Sequence, residues 1–123
     1  IELSPRLSEA WNNLAIAQEE SGNLTQAKTN YLKAIELDPE YWPVYYNMGI
    51  LLVKTGEIDL AIDSFKDVLL RVPNHADTHY ELGSLYANST NGSQLAVNHW
   101  NAFLRYSSDA DKKQQVKVKL NNL

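Results

Sequence analysis

Histidines are the residues of this chain best suited to hold a metal ion or to move a proton. His75 and His79 lie four residues apart, a spacing at which two imidazoles on one continuous helix can share a zinc ion. Pro73 places His75 in the turn before a helix, however, and we expect His79 to point into the packing between helices. His99 lies far along the chain, and no third ligand is evident. A structural role is therefore favoured, and we expect no bound metal.

Other catalytic arrangements are missing from the sequence. With no cysteine, the chain has no disulfide, no thiolate metal ligand and no cysteine nucleophile. Neither a G-x-S-x-G turn nor a glycine-rich phosphate loop occurs. The adjacent carboxylates Glu19 and Glu20 point to different sides of a helix. We therefore expect a protein that is not an enzyme and that needs no cofactor.

Charge and hydropathy exclude two further classes of function. Eleven Lys and Arg against fifteen Asp and Glu give the 123 residues a net charge of −4. Binding to a nucleic acid backbone needs a basic surface, so we expect no nucleic acid partner. No run of about 18 apolar residues occurs, so we expect no membrane insertion.

The elements that would position a site repeat along the chain. Columns of residues recur at a spacing of 34, and two of these columns take a spacing of 35 in their last step. The columns are Pro5, Pro39 and Pro73; Trp11, Tyr45 and His79; Leu14, Met48 and Leu82; Ala27, Ala61 and Ala96; Tyr31, Phe65 and Trp100. So many coincident columns at one period make chance a poor explanation.

Each period is typical of two helices. Apolar or small residues recur at i, i+3 and i+4, and pairs such as Gly22-Asn23 and Asp38-Pro39 end each run. No stretch alternates with a period of two, so we expect no sheet. Two helices bury only part of their apolar surface, so successive units must stack. The residues expected in the core are Trp11, Leu14, Tyr31, Tyr45, Phe65, Leu82, Tyr86 and Trp100.

This pattern resembles the tetratricopeptide repeat, a helix–turn–helix with the signature W-x2-L-G-x2-Y, then A-x3-F, then P. The first part of the signature is matched by Trp11…Leu14-Ala15…Gln18, Tyr45…Met48-Gly49…Leu52 and His79…Leu82-Gly83…Tyr86. The second part is matched by Ala27…Tyr31…Pro39, Ala61…Phe65…Pro73 and Ala96…Trp100. The resemblance covers residues 8–108. It implies an all-α, right-handed superhelical solenoid of antiparallel helix pairs that serves as a protein-binding scaffold.

The pattern predicts three repeats and a capping helix within one domain. We expect the repeats at residues 8–41, 42–75 and 76–109, the third with a one-residue insertion in the loop 88–93, and the capping helix at 110–123. In this last helix a narrow stripe of Val116, Leu120 and Leu123 faces the stack, and four lysines form a solvated face. Residues 1–7 copy the tail of a preceding repeat, which predicts a piece of a longer repeat protein whose location the sequence does not indicate.

A peptide-binding surface is expected on the concave face that the resemblance implies, which the first helix of each repeat lines. Asparagine both donates and accepts hydrogen bonds, as an extended peptide backbone does, and tyrosine offers a large apolar area with a polar tip. The predicted groove is formed by Glu9, Asn12, Asn13, Ile16, Tyr46, Asn47, Ile50, Lys54, Asp77, Tyr80 and Glu81. The expected partner is a protein or peptide with apolar and basic side chains.

Alternatives to peptide binding stay open. For any single groove residue, solvation of the face or an intramolecular hydrogen bond is the simpler interpretation. The chain is also interpretable as a structural unit that forms a homo-oligomer through its terminal helices.

One subclass of the resembled family clamps the C-terminal carboxylate of chaperones with asparagine and basic side chains. Asn47 aligns with one such asparagine, but Asn12, Asp77 and Glu81 stand in the cationic positions. Because acidic side chains repel a carboxylate, we predict no chaperone binding of that kind.

Overall fold

The computed structural model describes residues 5–123, and in that range it contains helices and no strand. The seven helices are α1 (Pro5–Glu20), α2 (Leu24–Leu37), α3 (Trp42–Lys54), α4 (Ile58–Arg71), α5 (Ala76–Ala87), α6 (Ser93–Tyr106) and α7 (Ala110–Asn121). The all-α prediction is thereby confirmed. Helix α1 begins three residues before the repeat boundary predicted at residue 8, and residues 1–4 of the predicted tail lie outside the described residues.

Two glycines end α1 and α3 in the same way. Gly22 and Gly56 have φ angles of 84° and 79°, the left-handed conformation that residues with a Cβ rarely adopt. After each glycine the next backbone N–H donates to a carbonyl five residues earlier, from Asn23 to Gln18 at 2.8 Å and from Glu57 to Leu52 at 2.9 Å. Each of these turns reverses the chain within three residues, so the second helix packs back against the first.

The turns bring the helices together in pairs, α1 with α2, α3 with α4, and α5 with α6. Glycine permits a close approach in the second and third pairs. A Cβ built on Gly49 would lie 2.6 Å from Cε1 of Phe65, and one built on Gly83 would overlap the indole of Trp100. Phe65 is completely buried and Trp100 is 3% exposed. Glycine at positions 49 and 83 therefore leaves the space that the aromatic ring of the paired helix fills.

The helices belong to two compact units. The first contains α1–α4 and ends at Arg71, and the second, Val72–Leu123, contains α5–α7. Fully buried side chains of the first unit are Tyr31, Leu51 and Phe65, and those of the second are Leu82, Phe103 and Val116. Each unit thus has a core of its own, and the single domain stays a prediction.

Most of the predicted core residues are buried, but Leu14 is not. Those at most 8% exposed are Tyr31, Tyr45, Phe65, Leu82, Tyr86 and Trp100. Trp11 is half-buried, and Leu14 is 45% exposed. In the second repeat the equivalent Met48 is 4% exposed because α2 packs against α3, whereas no helix within residues 5–123 precedes α1. Leu14 therefore lies on an uncovered side of α1, and its predicted place in the core is wrong.

Candidate functional site

Five of the predicted groove residues lie where α1 and α3 meet in the first unit. These residues, Asn12, Ile16, Asn47, Ile50 and Lys54, are called the α1/α3 seam below. Asn47 donates from Nδ2 to Oδ1 of Asn12 at 3.1 Å. Asn12 is only 3% exposed, so its amide oxygen has little access to water and depends on this bond. Asn47 is half-buried, and the bond leaves its own Oδ1 and second N–H for other partners.

An ion pair joins α1 and α3 at the other end of the α1/α3 seam, about two helical turns from the Asn12–Asn47 bond. Glu19 accepts a hydrogen bond from the hydroxyl of Tyr31 at 2.8 Å and binds the ammonium group of Lys54. The Glu19 side chain is 9% exposed. Burial raises the pKa of Tyr31, and the hydrogen bond to Glu19 raises it further, so the hydroxyl remains a donor at neutral pH. Ile16 and Ile50, both half-buried, lie between the two polar contacts.

Three further predicted groove residues lie beside the seam. Glu9 and Asn13 are exposed on α1, and Tyr46 is half-buried on α3. The ring of Tyr46 meets that of Phe65 edge-on, with 5.7 Å between the centroids, so part of it serves the core of the second repeat. Burial raises the pKa of Tyr41, and the charge of Glu9 adds to that effect. The first unit thus places its predicted residues along two neighbouring helices.

The remaining predicted residues, Asp77, Tyr80 and Glu81, lie on α5 in the second unit, where lysines of α7 reach them. The ammonium of Lys112 lies 4.1 Å from the centroid of the Tyr80 ring and 3.8 Å from Oδ1 of Asp77. Lys119 donates to the hydroxyl of Tyr80 at 2.9 Å. Burial raises the pKa of Glu81, while the two lysines lower it and Asp77 raises it. Helix α7 therefore occupies part of the predicted surface of α5.

Lys112 was predicted to lie on a solvated face, but it contacts Tyr80 and Asp77 instead. The repeat spacing could have indicated these contacts. Lys112 follows Thr78 by 34 residues, and Val116 follows Leu82 by the same spacing. Val116 is completely buried, whereas Leu123 is 50% exposed and does not belong to a buried stripe. Val116 thus belongs to the core of the second unit, and the lysine side chains of α7 are long enough to reach α5.

The histidines form structural contacts in the second unit. Nδ1 of His75 accepts a hydrogen bond from the backbone N–H of Thr78 at 3.3 Å and so caps α5. Nε2 of His79 lies 2.8 Å from the carbonyl oxygen of Pro73, and its Nδ1 lies 3.0 Å from Nδ1 of His99. Because a carbonyl only accepts, Nε2 of His79 carries a proton, and in a neutral pair His99 donates to Nδ1 of His79. His75 and His79 therefore make hydrogen bonds within the fold, and the fold places His99 beside His79.

Two kinds of site have no candidate in the part of the chain that the structure describes. Within residues 5–123, no group of three or more His, Cys, Asp or Glu is arranged to hold a metal ion. In the same range no helix combines the length and the apolar character that a membrane crossing requires.

Family models match the middle of the chain. One described as a TPR repeat matches residues 20–56, and one described as a tetratricopeptide repeat matches residues 43–75. The chain is 30% identical over 80 residues to the transcription factor tau 131 kDa subunit of Saccharomyces cerevisiae, and 30% identical over 101 residues to the protein O-mannosyl-transferase TMTC3 of Homo sapiens. These matches cover 65% and 79% of this chain but only 8% and 11% of the relatives. The activity of a whole relative therefore does not transfer to this chain.

Solved structures share the fold. The type III secretion translocator chaperone SycD of Yersinia enterocolitica has a TM-score of 0.82 at 16% identity, over 98% of this chain and 92% of that one. The first TPR of Spaghetti (RPAP3), bound to the HSP90 peptide SRMEEVD, has a TM-score of 0.80 at 11% identity, over 98% of both chains. At such identities the likeness shows the fold alone, which is a helical solenoid of the TPR type, and the predicted fold class is confirmed.

Proposed function

Because this chain is built from tetratricopeptide repeats, we propose that it is a non-catalytic interaction module that binds a peptide segment of a partner protein on α1 and α3. Proteins with these repeats generally mediate protein–protein interactions, and the Spaghetti repeats hold a peptide of another protein. The observation that carries the proposal is the α1/α3 seam, in which two half-buried isoleucines lie between two polar contacts that hold the helices together.

Asn47 is the residue best placed to bind a peptide backbone. Its bond to the buried Asn12 holds the amide in one orientation. The Oδ1 and second N–H of Asn47 then match one N–H and one carbonyl of an extended peptide. Asn13, exposed beside Asn12, offers a second amide on α1. Asn12 is thus a positioning residue, whereas Asn47 and Asn13 contact the ligand.

The partner segment is expected to be apolar and basic. Ile16 and Ile50 are half-buried, so an aliphatic side chain of the partner would remove their remaining surface from water. Lys54 is already paired with Glu19, whereas Glu9 is exposed and forms no ion pair among the described residues. A basic residue beside the aliphatic one is therefore favoured over an acidic one.

The main contact with the peptide is not placed on the second unit. Lys112 engages Asp77 and Tyr80, and a peptide on α5 would have to displace that lysine. Contacts of Asp77, Tyr80 and Glu81 with a ligand stay a prediction. The same carboxylates disfavour an acidic peptide such as the SRMEEVD bound to Spaghetti, so binding of such a peptide is not part of the proposal.

Panning a phage-displayed library of random peptides against the chain tests the proposal. Retained peptides should combine an aliphatic with a basic residue, and Ile50→Ser should weaken them at least about tenfold in fluorescence anisotropy titrations. Asn13→Arg is the second variant: position 13 is exposed, so the fold is preserved, and the added positive charge should weaken a basic peptide several-fold.

Leu70→Ser, on α4 and outside the α1/α3 seam, is the matched control, because Leu70 is 78% exposed; this variant should leave the affinity of these peptides unchanged. Circular dichroism should show all three variants folded. Equal affinity for the wild type, Ile50→Ser and Asn13→Arg would show that the seam is not the site.

Exposed leucines on α1 favour a second function, self-association. Leu7 and Leu14 are 53% and 45% exposed, and their spacing of seven residues places them on one side of the helix. A second copy that covered this side would bury both leucines. Sedimentation velocity over a range of concentrations should then show a dimer that Leu14→Ser dissociates. A monomer at every concentration would refute self-association and leave the peptide site unaffected.

A further inference from the structure

A cleft on the first unit lies apart from the proposed peptide site. Helices α2, α3 and α4 enclose about 230 Å³ there. The floor is formed by Met48 and Leu52, each 4% exposed. On α3 the helical period of about 3.6 residues places these two residues about 100–160° around the helix from Asn47 and Ile50, on a different face. This space, called the outer cleft below, is lined among others by Lys28, Leu32, Met48, Leu52, Leu60 and Asp63.

Two leucines at the outer cleft expose apolar surface. Leu32 on α2 is 53% exposed, and Leu60 on α4 is 51% exposed. At the position of Leu32 the second repeat has Lys66 and the third has Asn101, both of them exposed. Stacking of the helices therefore tolerates a polar residue there. A leucine at this place therefore adds exposed apolar surface that the core does not require.

The rim of the outer cleft carries an excess of negative charge on α4. Lys28, across the cleft on α2, is neutralised by Glu57 at 3.3 Å. Asp67 lies 3.9 Å from Arg71. Asp63 is exposed, lines the cleft and forms no ion pair within residues 5–123. A cation at the rim is therefore attracted to Asp63 without displacing an existing partner.

The size of the outer cleft suits a side chain rather than a small molecule. Pockets for small molecules typically enclose about 300–1,000 Å³. The smaller volume here, with its apolar floor, matches a single aliphatic anchor of the kind that dominates many interfaces. We propose that the outer cleft docks a segment of a partner protein, with an aliphatic side chain between Leu32 and Leu60 and an adjacent Lys or Arg on Asp63. This site is separate from the α1/α3 seam and does not depend on it.

The same peptide library tests the outer cleft with its own variants. Peptides that dock there should lose at least about tenfold in affinity on Leu60→Ser and should keep their affinity on Ile50→Ser. Leu32→Ser, on the other side of the cleft, should have the same effect as Leu60→Ser. Both leucines are half-exposed, so circular dichroism should show each variant folded.

A charge-neutral variant tests the role of Asp63. Asp63→Asn should weaken these peptides several-fold and reduce the dependence of their affinity on salt. Asp59→Asn is the matched control, because Asp59 is exposed on the same helix and does not line the cleft. Equal effects of the two substitutions would overturn the assignment of the basic residue to Asp63.

Two further outcomes would overturn the docking site itself. One is that no retained peptide distinguishes Leu60→Ser from the wild type. The other is a dimer of this chain that Leu60→Ser dissociates, since a second copy would then occupy the cleft. If all retained peptides are weakened only by Ile50→Ser, the proposed function is supported and docking at the outer cleft is refuted. If all are weakened only by Leu60→Ser, docking at the outer cleft is supported and the α1/α3 seam is refuted as the peptide site.

Discussion

Replacing Asn47 by alanine separates a structural role of this residue from a ligand-binding one. Asn47 donates to Oδ1 of Asn12 across α1 and α3 at 3.1 Å, and Asn12 is 3% exposed. Truncating Asn47 leaves that buried oxygen without its donor, and water has little access to replace it. We therefore expect Asn47→Ala to lower the free energy of unfolding of the first unit, whether or not a ligand is bound.

The expected loss follows from which partner remains. Leaving a buried acceptor unpaired costs about 1–3 kcal/mol, so Asn47→Ala should fall in that range. Asn12→Ala leaves the half-buried Asn47, whose amide can bind water, so the hydrogen-bond part of its effect should be about 0.5–1.5 kcal/mol. In the double variant no amide is left unpaired. Its effect should therefore be smaller than the sum of the two single effects, with a coupling energy of at least about 0.5 kcal/mol.

Urea unfolding of the wild type, both single variants and the double variant measures this coupling. Asn13→Ala is the control, because Asn13 is exposed and neighbours Asn12 on the same helix; it should change stability by less than about 0.5 kcal/mol. Additive effects of Asn12→Ala and Asn47→Ala would refute the inference that the buried amide depends on Asn47. Loss of peptide affinity without loss of stability would assign Asn47 to the ligand alone.

Two other predictions concern packing and pH. Gly49→Ala should destabilise the first unit by about 1–3 kcal/mol in urea unfolding, because its Cβ would lie 2.6 Å from the ring of Phe65. For His75, burial lowers the pKa below its value in the unfolded chain, so the unfolded state binds more protons. Stability of the second unit should therefore be lost as the pH falls below about 6.5, and His75→Asn, which retains a capping acceptor, should reduce that loss.

Each of these predictions has its own control. If the close contact causes the loss, Gly49→Ala should be less harmful when Phe65 is replaced by Leu, and a Gly49→Ala protein as stable as the wild type would contradict the packing argument. For the pH effect, His79 and His99 are present in both the wild type and His75→Asn, so only the difference between the two unfolding profiles reports on His75. Parallel profiles between pH 5 and 8 would exclude His75 as the titrating group.

The helices and most buried residues were predictable because the same sequence pattern occurs in each repeat. Gly22 and Gly56 end their helices with the same turn. Tyr31 and Phe65 occupy the same position in successive repeats, and both are completely buried. Leu14 shows where this reasoning fails. The column predicts a buried residue, but burial depends on a neighbouring helix, and no helix within residues 5–123 covers that side of α1.

The sequence predicted which helix faces carry the candidate sites, but it did not predict which side chains on those faces contact each other. The spacing along α1 and α3 places Asn12 and Asn47 on the predicted surface, yet only the packed helices show that one amide is buried and bonded to the other. Lys112 belongs to a helix whose lysines, by composition, are typical of a solvated face, yet it reaches Tyr80 and Asp77.

The sequence by itself determined the helices, their pairing and most of the core, because these follow from hydrogen bonds and apolar periodicity within about 34 residues of chain. Tertiary structure decided which polar side chains meet: Asn12 with Asn47, His79 with His99 and Lys112 with Tyr80. It also decided that Leu32 and Leu60 flank one cleft. The physical reason is that such contacts depend on the distance and rotation between helices and on side-chain rotamers. No short stretch of sequence specifies these quantities.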